Sequence, residues 1–280
     1  MAVKIVTDSL ADVTDKVAGE LGITMVPLPV LFGHQTYLDR VTITTEEFYR
    51  RLENHTVWPT TTQPTPAAFL DVYNKLAKET DDILVITLSG KMSGTYQSAM
   101  GAKNMFKGKT RIEIIDSQLV AMSLGLIVIS AARKAKAGAK MDELVDWVKK
   151  AMTRSHFVVY FDTLKYLAKG GRIGKAKSLL GAMLSVKQIL TIKEGEMAPL
   201  TRLRSLPAGL DYLYNFAASH KDAALVAVEH ATTPDEAARL VERLSAIFPK
   251  DHIFTSVISP VLGVYGGPNA MAVTVLDAEK

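Results

Sequence analysis

The chain has 280 residues, of which 48% are hydrophobic but only 7% aromatic, with no cysteine and a formal net charge of +4. That length makes one large domain or two smaller ones, and the aliphatic richness excludes a disordered or low-complexity chain. The missing cysteine excludes a disulfide framework, thiolate zinc and a cysteine nucleophile, and fits a reducing, cytoplasmic compartment.

Positive and negative charges are interspersed, so the small surplus is not a nucleic-acid footprint and no nucleic-acid partner is expected. The uncharged aliphatic stretch 117–132 contains Ser117, Gln118, Ser123 and Ser130 and falls short of the ~20 apolar residues of a span. No transmembrane segment and no signal peptide are expected, because the first residues run straight into a strand-like run.

Lys4-Ile5-Val6-Thr7 reads as a strand followed at once by Asp8-Ser9. Ile83-Leu84-Val85-Ile86-Thr87 reads as a second, leading into Leu88-Ser89-Gly90, and Arg111-Ile112-Glu113-Ile114-Ile115 as a third, followed by Asp116-Ser117. Between them lie helix starts. Thr44 with Glu47 forms a capping-box pattern, and Thr65-Pro66 supplies an N-cap with proline at the first helical position. The helix after Pro66 puts Phe69, Tyr73, Leu76 and Ala77 on one face. A further amphipathic helix over 141–152 presents Leu144, Val145 and Val148. Alternating strands and helices of this kind predict a mostly parallel sheet with helices around it.

Past about residue 155 the pattern changes. Phe157-Val158-Val159-Tyr160 is strand-like, and 188–193 with 197–202 predict a hairpin turning at Glu194-Gly195-Glu196. Residues 224–229 and 270–276 predict further strands, and Thr233-Pro234-Asp235-Glu236 combines a capping box with a leading proline. The fold class expected is α/β. An N-terminal, mostly parallel α/β sandwich domain covers 1–155, and a C-terminal α+β domain covers 156–280, with a ligand cleft between them.

Among motifs that carry chemistry, the phosphate loops fail. Gly174-Lys175 is followed by Ala176 and Gly90-Lys91 by Met92, where a Walker loop needs Ser or Thr. The six histidines, at positions 34, 55, 156, 220, 230 and 252, show no H-E-x-x-H spacing, read as isolated surface or packing residues, and predict no metal site. Ser89 and Ser93 follow a strand at the start of a helix, where an α/β-hydrolase keeps its nucleophile, but the G-x-S-x-G elbow and a nearby base are absent. Ser93 is read instead as a cap or as an anion-holding hydroxyl at the positive end of a helix. The run Pro59-Thr60-Thr61-Thr62-Gln63-Pro64-Thr65 is a second hydroxyl-rich helix start. Two such starts converge naturally at the carboxyl edge of a parallel sheet, where open α/β folds bind ligands.

These segments together resemble the DegV family of bacterial fatty-acid-binding proteins, which includes the FakB subunits of fatty acid kinase. Thr7-Asp8-Ser9-Leu10-Ala11-Asp12 is similar to T-D-S-x-x-D, Thr61-Thr62-Gln63-Pro64-Thr65 to T-S-Q-P-S, and 88–99 to the family's L-S-G-T-Y-Q-S-A segment. Ile115-Asp116-Ser117, Leu164-Lys165-Tyr166-Leu167 and Gly170-Gly171-Arg172-Ile173 follow in the family's order.

The resemblance implies a Rossmann-like first domain and one long-chain fatty acid buried in a tunnel between two domains. It places the carboxylate on Thr61 or Thr62 and on Ser93 with the Gly94 backbone. It also implies no catalysis on this chain and no cofactor beyond the bound acid. A separate ATP-dependent fatty acid kinase catalytic subunit would phosphorylate the carboxylate for phospholipid synthesis, docking near Arg172, Arg202 and Arg204. A transient contact with a membrane surface fits the same role. Tyr265 in Gly263-Val264-Tyr265-Gly266-Gly267-Pro268 stands where relatives carry histidine, Asn269 where they carry glycine, and Arg40 where many carry glycine after Asp39. Tyr265 can donate a hydrogen bond but cannot add positive charge, which suggests a carboxylate held by neutral donors. The readings weighed against an acyl carrier are a serine acyl hydrolase, a relative of dihydroxyacetone kinase, and a regulatory interaction module with an empty cleft.

Overall fold

The computed structural model describes residues 2–54, 57–179 and 186–279; His55 lies outside them. In chain order the first half comprises β1 (Lys4–Asp8), α1 (Asp15–Leu21), β2 (Thr24–Val26), β3 (Pro29–Phe32), β4 (Gln35–Leu38), α2 (Thr45–Asn54), β5 (Thr60–Thr61), α3 (Pro66–Leu76), β6 (Asp82–Thr87), α4 (Thr95–Met105), β7 (Arg111–Asp116), α5 (Ala121–Lys136) and α6 (Met141–Met152). The second half follows with β8 (Ser155–Phe161), α7 (Lys165–Lys169), β9 (Lys187–Lys193), β10 (Glu196–Leu203), α8 (Leu206–Ser219), β11 (Ala223–His230), α9 (Pro234–Leu244), β12 (Ile253–Val257), α10 (Pro260–Gly266) and β13 (Met271–Asp277).

Three sheets form among the described residues. The first has the order β2-β1-β6-β7 and is parallel throughout, with Val6 opposite Val85 and Ile86 opposite Ile115. A small antiparallel sheet, β4-β3-β5, lies beside it. The second large sheet has the order β10-β9-β8-β13-β11-β12, antiparallel except for the β11–β12 pair. The chain is therefore α/β, with a parallel sheet followed by a mixed one. The hairpin forms as its sequence predicts, Glu196 pairing Lys193 across a turn with Glu194 and Gly195 at positive φ. Pro199, which has no N–H to give a ladder, sits at the β10 irregularity, as proline in a strand must.

α5 is the central helix, and no amphipathic pattern announces it. Twelve of its 16 residues are buried, because it contacts β1 and β6 of the first sheet and β8, β11 and β13 of the second. A helix enclosed on all sides carries no polar stripe.

Two capping boxes expected from sequence do not form. Thr44 accepts from the Glu47 N–H at 3.1 Å, but the Glu47 carboxylate turns to Arg50 and Arg51 instead of back to the cap. Thr233 stands at the N-cap of α9, but its side chain makes no capping bond and its buried hydroxyl has no partner. Thr65 does cap α3, through Ala68.

Candidate functional site

The loops at the carboxyl edge of the parallel sheet are fastened by aspartates that end its strands. Asp8 closes β1 and accepts from Leu10 N–H at 3.1 Å and from Leu88 N–H at 2.7 Å, which ties the loop after β1 to the loop after β6. Asp116 closes β7 and accepts from Gly90 and Gln118 N–H, both at 3.0 Å. Ser89 is fully buried and donates to Gly195 O at 2.7 Å, so the tip of the β9–β10 hairpin rests on this edge. That bond gives Ser89 a structural task, holding the hairpin tip.

Above this edge opens a cavity lined by residues from both halves of the chain. Its depth is aliphatic and aromatic, formed by Leu10, Leu28 and Leu88 from the first half and Phe157, Val159 and Ala272 from β8 and β13. Strand alternation explains the second group. Phe157, Val159 and Phe161 point into the cavity, and Val158 and Tyr160 point to the opposite face and its own core.

The polar groups gather at the mouth. Thr61, Thr62 and Gln63 line it, held by β5: Val30 pairs with Thr61, and Thr62 N–H donates to Pro29 O at 3.2 Å. Ser93 lines the other side, its hydroxyl 2.9 Å from that of Thr95. Helix α4 begins two residues beyond Ser93 and is capped by Gly94 without a side-chain bond, so Ser93 is not its cap. Gly94 does not line the cavity. It packs behind the mouth, where an added Cβ would lie 3.2 Å from the Gln63 amide. The two hydroxyl-rich segments singled out in the sequence are thus adjacent.

Tyr265, on α10, shares a hydrogen bond of 2.5 Å with the Thr61 hydroxyl. Arg172 also lines the mouth, its guanidinium 5.4 Å from the centre of the Tyr265 ring and its N–H groups on Gly170 O and Met92 O. The mouth therefore holds a cation as well as neutral donors, and the resemblance had assigned that arginine to a partner surface. Arg202 and Arg204 are exposed and do not line the cavity. Gly170 is required for this packing, since a Cβ there would fall 2.3 Å from Tyr265 Cδ1.

One lining residue escaped sequence reasoning. Glu229 is fully buried at the inner end, both carboxylate oxygens 3.1 Å from the Met122 N–H at the start of α5. Burial and the nearby Asp12 push its carboxyl well above the usual range. Leu225, Ala227 and Glu229 alternate along β11 on the inward face, but a run apolar on both faces does not show from sequence which face that is.

Behind it lie Asp12, Asp39 and Asp8, all buried, with Arg40 among them. Burial raises Asp8 and Asp39 to about 7 and Asp12 to about 6, against the lowering effect of Arg40 on the last two. Arg40 holds a left-handed backbone at φ 57°, a conformation glycine adopts at no cost. Its guanidinium donates to the Ser9 and Val13 carbonyls, both at 3.0 Å.

Fold and site together define an α/β protein with a deep apolar cavity beneath a mouth of hydroxyls, a phenol and one guanidinium. A family model described as uncharacterised protein, DegV family, matches residues 2–278. The chain belongs to the DegV family. Protein DegV of Bacillus subtilis is 30% identical over 281 residues, with 98% of each chain covered. A DegV domain-containing protein of Halalkalibacterium halodurans is 32% identical over 278 residues, 97% of each. Among solved structures, DegV from Bacillus subtilis, described as a fatty acid binding protein, superposes with a TM-score of 0.91 at 27% identity, covering 99% of this chain and 100% of its own. A DegV family protein from Thermus thermophilus, described by its fatty acid binding, gives 0.90 at 28% identity with the same coverage. Among the described residues no helix is long and apolar enough to cross a membrane.

Proposed function

We propose that this chain binds one long-chain fatty acid, its tail in the apolar cavity and its carboxylate at the mouth, without catalysing a reaction on it. The observation that carries this reading is the cavity itself, aliphatic in depth and polar at its opening. Solved relatives of the same fold are described as binding fatty acids. About 14 methylenes at ~0.8 kcal/mol each supply on the order of 11 kcal/mol before ordering costs, so the tail dominates and the head needs only adequate solvation.

The carboxylate is received by the hydroxyls of Thr61, Thr62 and Ser93, by the Tyr265 phenol and by the Arg172 guanidinium. Gly94 contributes by letting Gln63 close against it. No cofactor is required. A hydrolase reading lacks support, because no histidine is among the described lining residues and Ser93 has only Thr95 as hydroxyl partner. Units 1–155 and 156–280 serve as the two walls of the tunnel. A separate ATP-dependent kinase takes up the carboxylate for phosphorylation, with the exposed Arg202 and Arg204 on its docking face.

Denaturing extraction of the purified chain followed by mass spectrometry should release close to one long-chain acid per chain; lipid-free protein that also fails to take up added acid would end the proposal. Tyr265→Phe should weaken acid binding about 3- to 10-fold, the worth of one hydrogen bond. Unchanged affinity removes Tyr265 from the head site and leaves the tail site standing.

A further inference from the structure

Two of the histidines that look scattered in sequence are neighbours in space. His156 is the second residue of β8 and lies opposite Val275 of β13. Asp277, two residues on, therefore shares its face of the sheet, the face opposite to Phe157 and the cavity. His220 follows α8, which packs on that same face. The result is a constellation drawn from three elements. His156 Nε2 lies 3.0 Å from Asp277 Oδ2, His220 Nδ1 lies 3.2 Å from Asp277 Oδ1, and the two imidazole rings are 4.5 Å apart. One donor atom from each residue falls within 4.8 Å of the others.

We propose that His156, His220 and Asp277 form a three-ligand site for a divalent transition ion of the zinc type, with water in the fourth position. Tetrahedral bonds of about 2.0–2.1 Å put neighbouring donor atoms ~3.3 Å apart, close to both nitrogen–oxygen separations here. Two imidazoles and one carboxylate suit zinc, cobalt or nickel; magnesium and calcium require oxygen donors throughout. The side chains are only 21–38% exposed, which leaves room for one water and shelters the ligands. The ion ties together the start of β8, the end of β13 and the end of α8. Because it sits on the outer face, it acts on the stability of the second sheet and not on the acyl cavity.

Chelator-treated full-length protein titrated with zinc chloride in a calorimeter should bind one zinc per chain, and magnesium chloride none. Cobalt chloride should give the visible d–d absorption of a tetrahedral site. His220→Ala and His156→Gln should each weaken zinc binding by more than about 10-fold, since loss of an outer-shell contact alone costs that much. Their circular dichroism should remain native, and His156→Gln serves should His220→Ala fold poorly. Absence of saturable zinc binding overturns the proposal, as does equal affinity in a His156→Gln/His220→Ala double variant.

Discussion

At the scale of single residues the expensive feature is the carboxyl cluster behind the cavity. Asp8, Asp12, Asp39 and Glu229 are all raised by burial, and Arg40 is the cation that opposes this at Asp12 and Asp39. A raised carboxyl pKa means that the folded chain keeps a proton the unfolded chain has released. Stability from these groups is therefore full below about pH 4 and declines as pH climbs through 6 to 7. Asp39→Asn removes one such group. We expect it to melt with the native chain at pH 4 and to be more stable at pH 8, by on the order of a few kcal/mol, given about 1.4 kcal/mol per pKa unit. Melting curves across that range check it; a variant less stable at pH 8 would show that Asp39 is held as a favourable ion pair with Arg40. The left-handed backbone of Arg40 fits the same account, since a residue there is strained but delivers the cation.

At the scale of elements, what could be read in the sequence follows from which faces each element exposes. Strands β1, β6 and β7 of the parallel sheet, the hairpin and helices α3 and α6 were legible because turn residues or a polar face bound them. β2 to β5 are two to four residues long and fall below any periodic window. α5 was illegible for the opposite reason, being buried on nearly every face until its basic last turn. Gly125 shows how tightly it is enclosed, since a Cβ there would lie 2.2 Å from Ala11 O and 2.7 Å from Met122 Sδ. A helical Gly→Ala change ordinarily adds up to about 1 kcal/mol of stability. Here Gly125→Ala should instead cost about 1–3 kcal/mol, because α5 must move off the loop after β1; denaturant midpoints measure the sign. The site divides likewise. The hydroxyls of Thr61, Thr62 and Ser93 stood out as residue types at helix starts. Tyr265 was drawn in only through the resemblance, and Glu229 needed the β11 pairing to show which way it faces.

At the scale of the whole molecule the cavity is a gap in a core that both large sheets and α5 share, so its occupant is part of the fold's stability. A ligand that binds only the folded chain stabilises it by about 2.7 kcal/mol when present at 100 times its dissociation constant. For a chain of this length that corresponds to a rise of roughly 4–5 °C in melting temperature. Stripped of lipid, the protein should melt lower by about that amount, and a long-chain acid should restore the transition as one cooperative step. An acid shorter by eight methylenes forgoes on the order of 6 kcal/mol of transfer free energy. At the same concentration it should leave the melting temperature unchanged, although its carboxylate is identical. Should the short acid stabilise as well as the long one, the head would be dominating and the apolar depth would have another purpose. Should only the long acid act, binding follows the aliphatic surface that made this chain so rich in Leu, Val and Ile and so poor in aromatic residues.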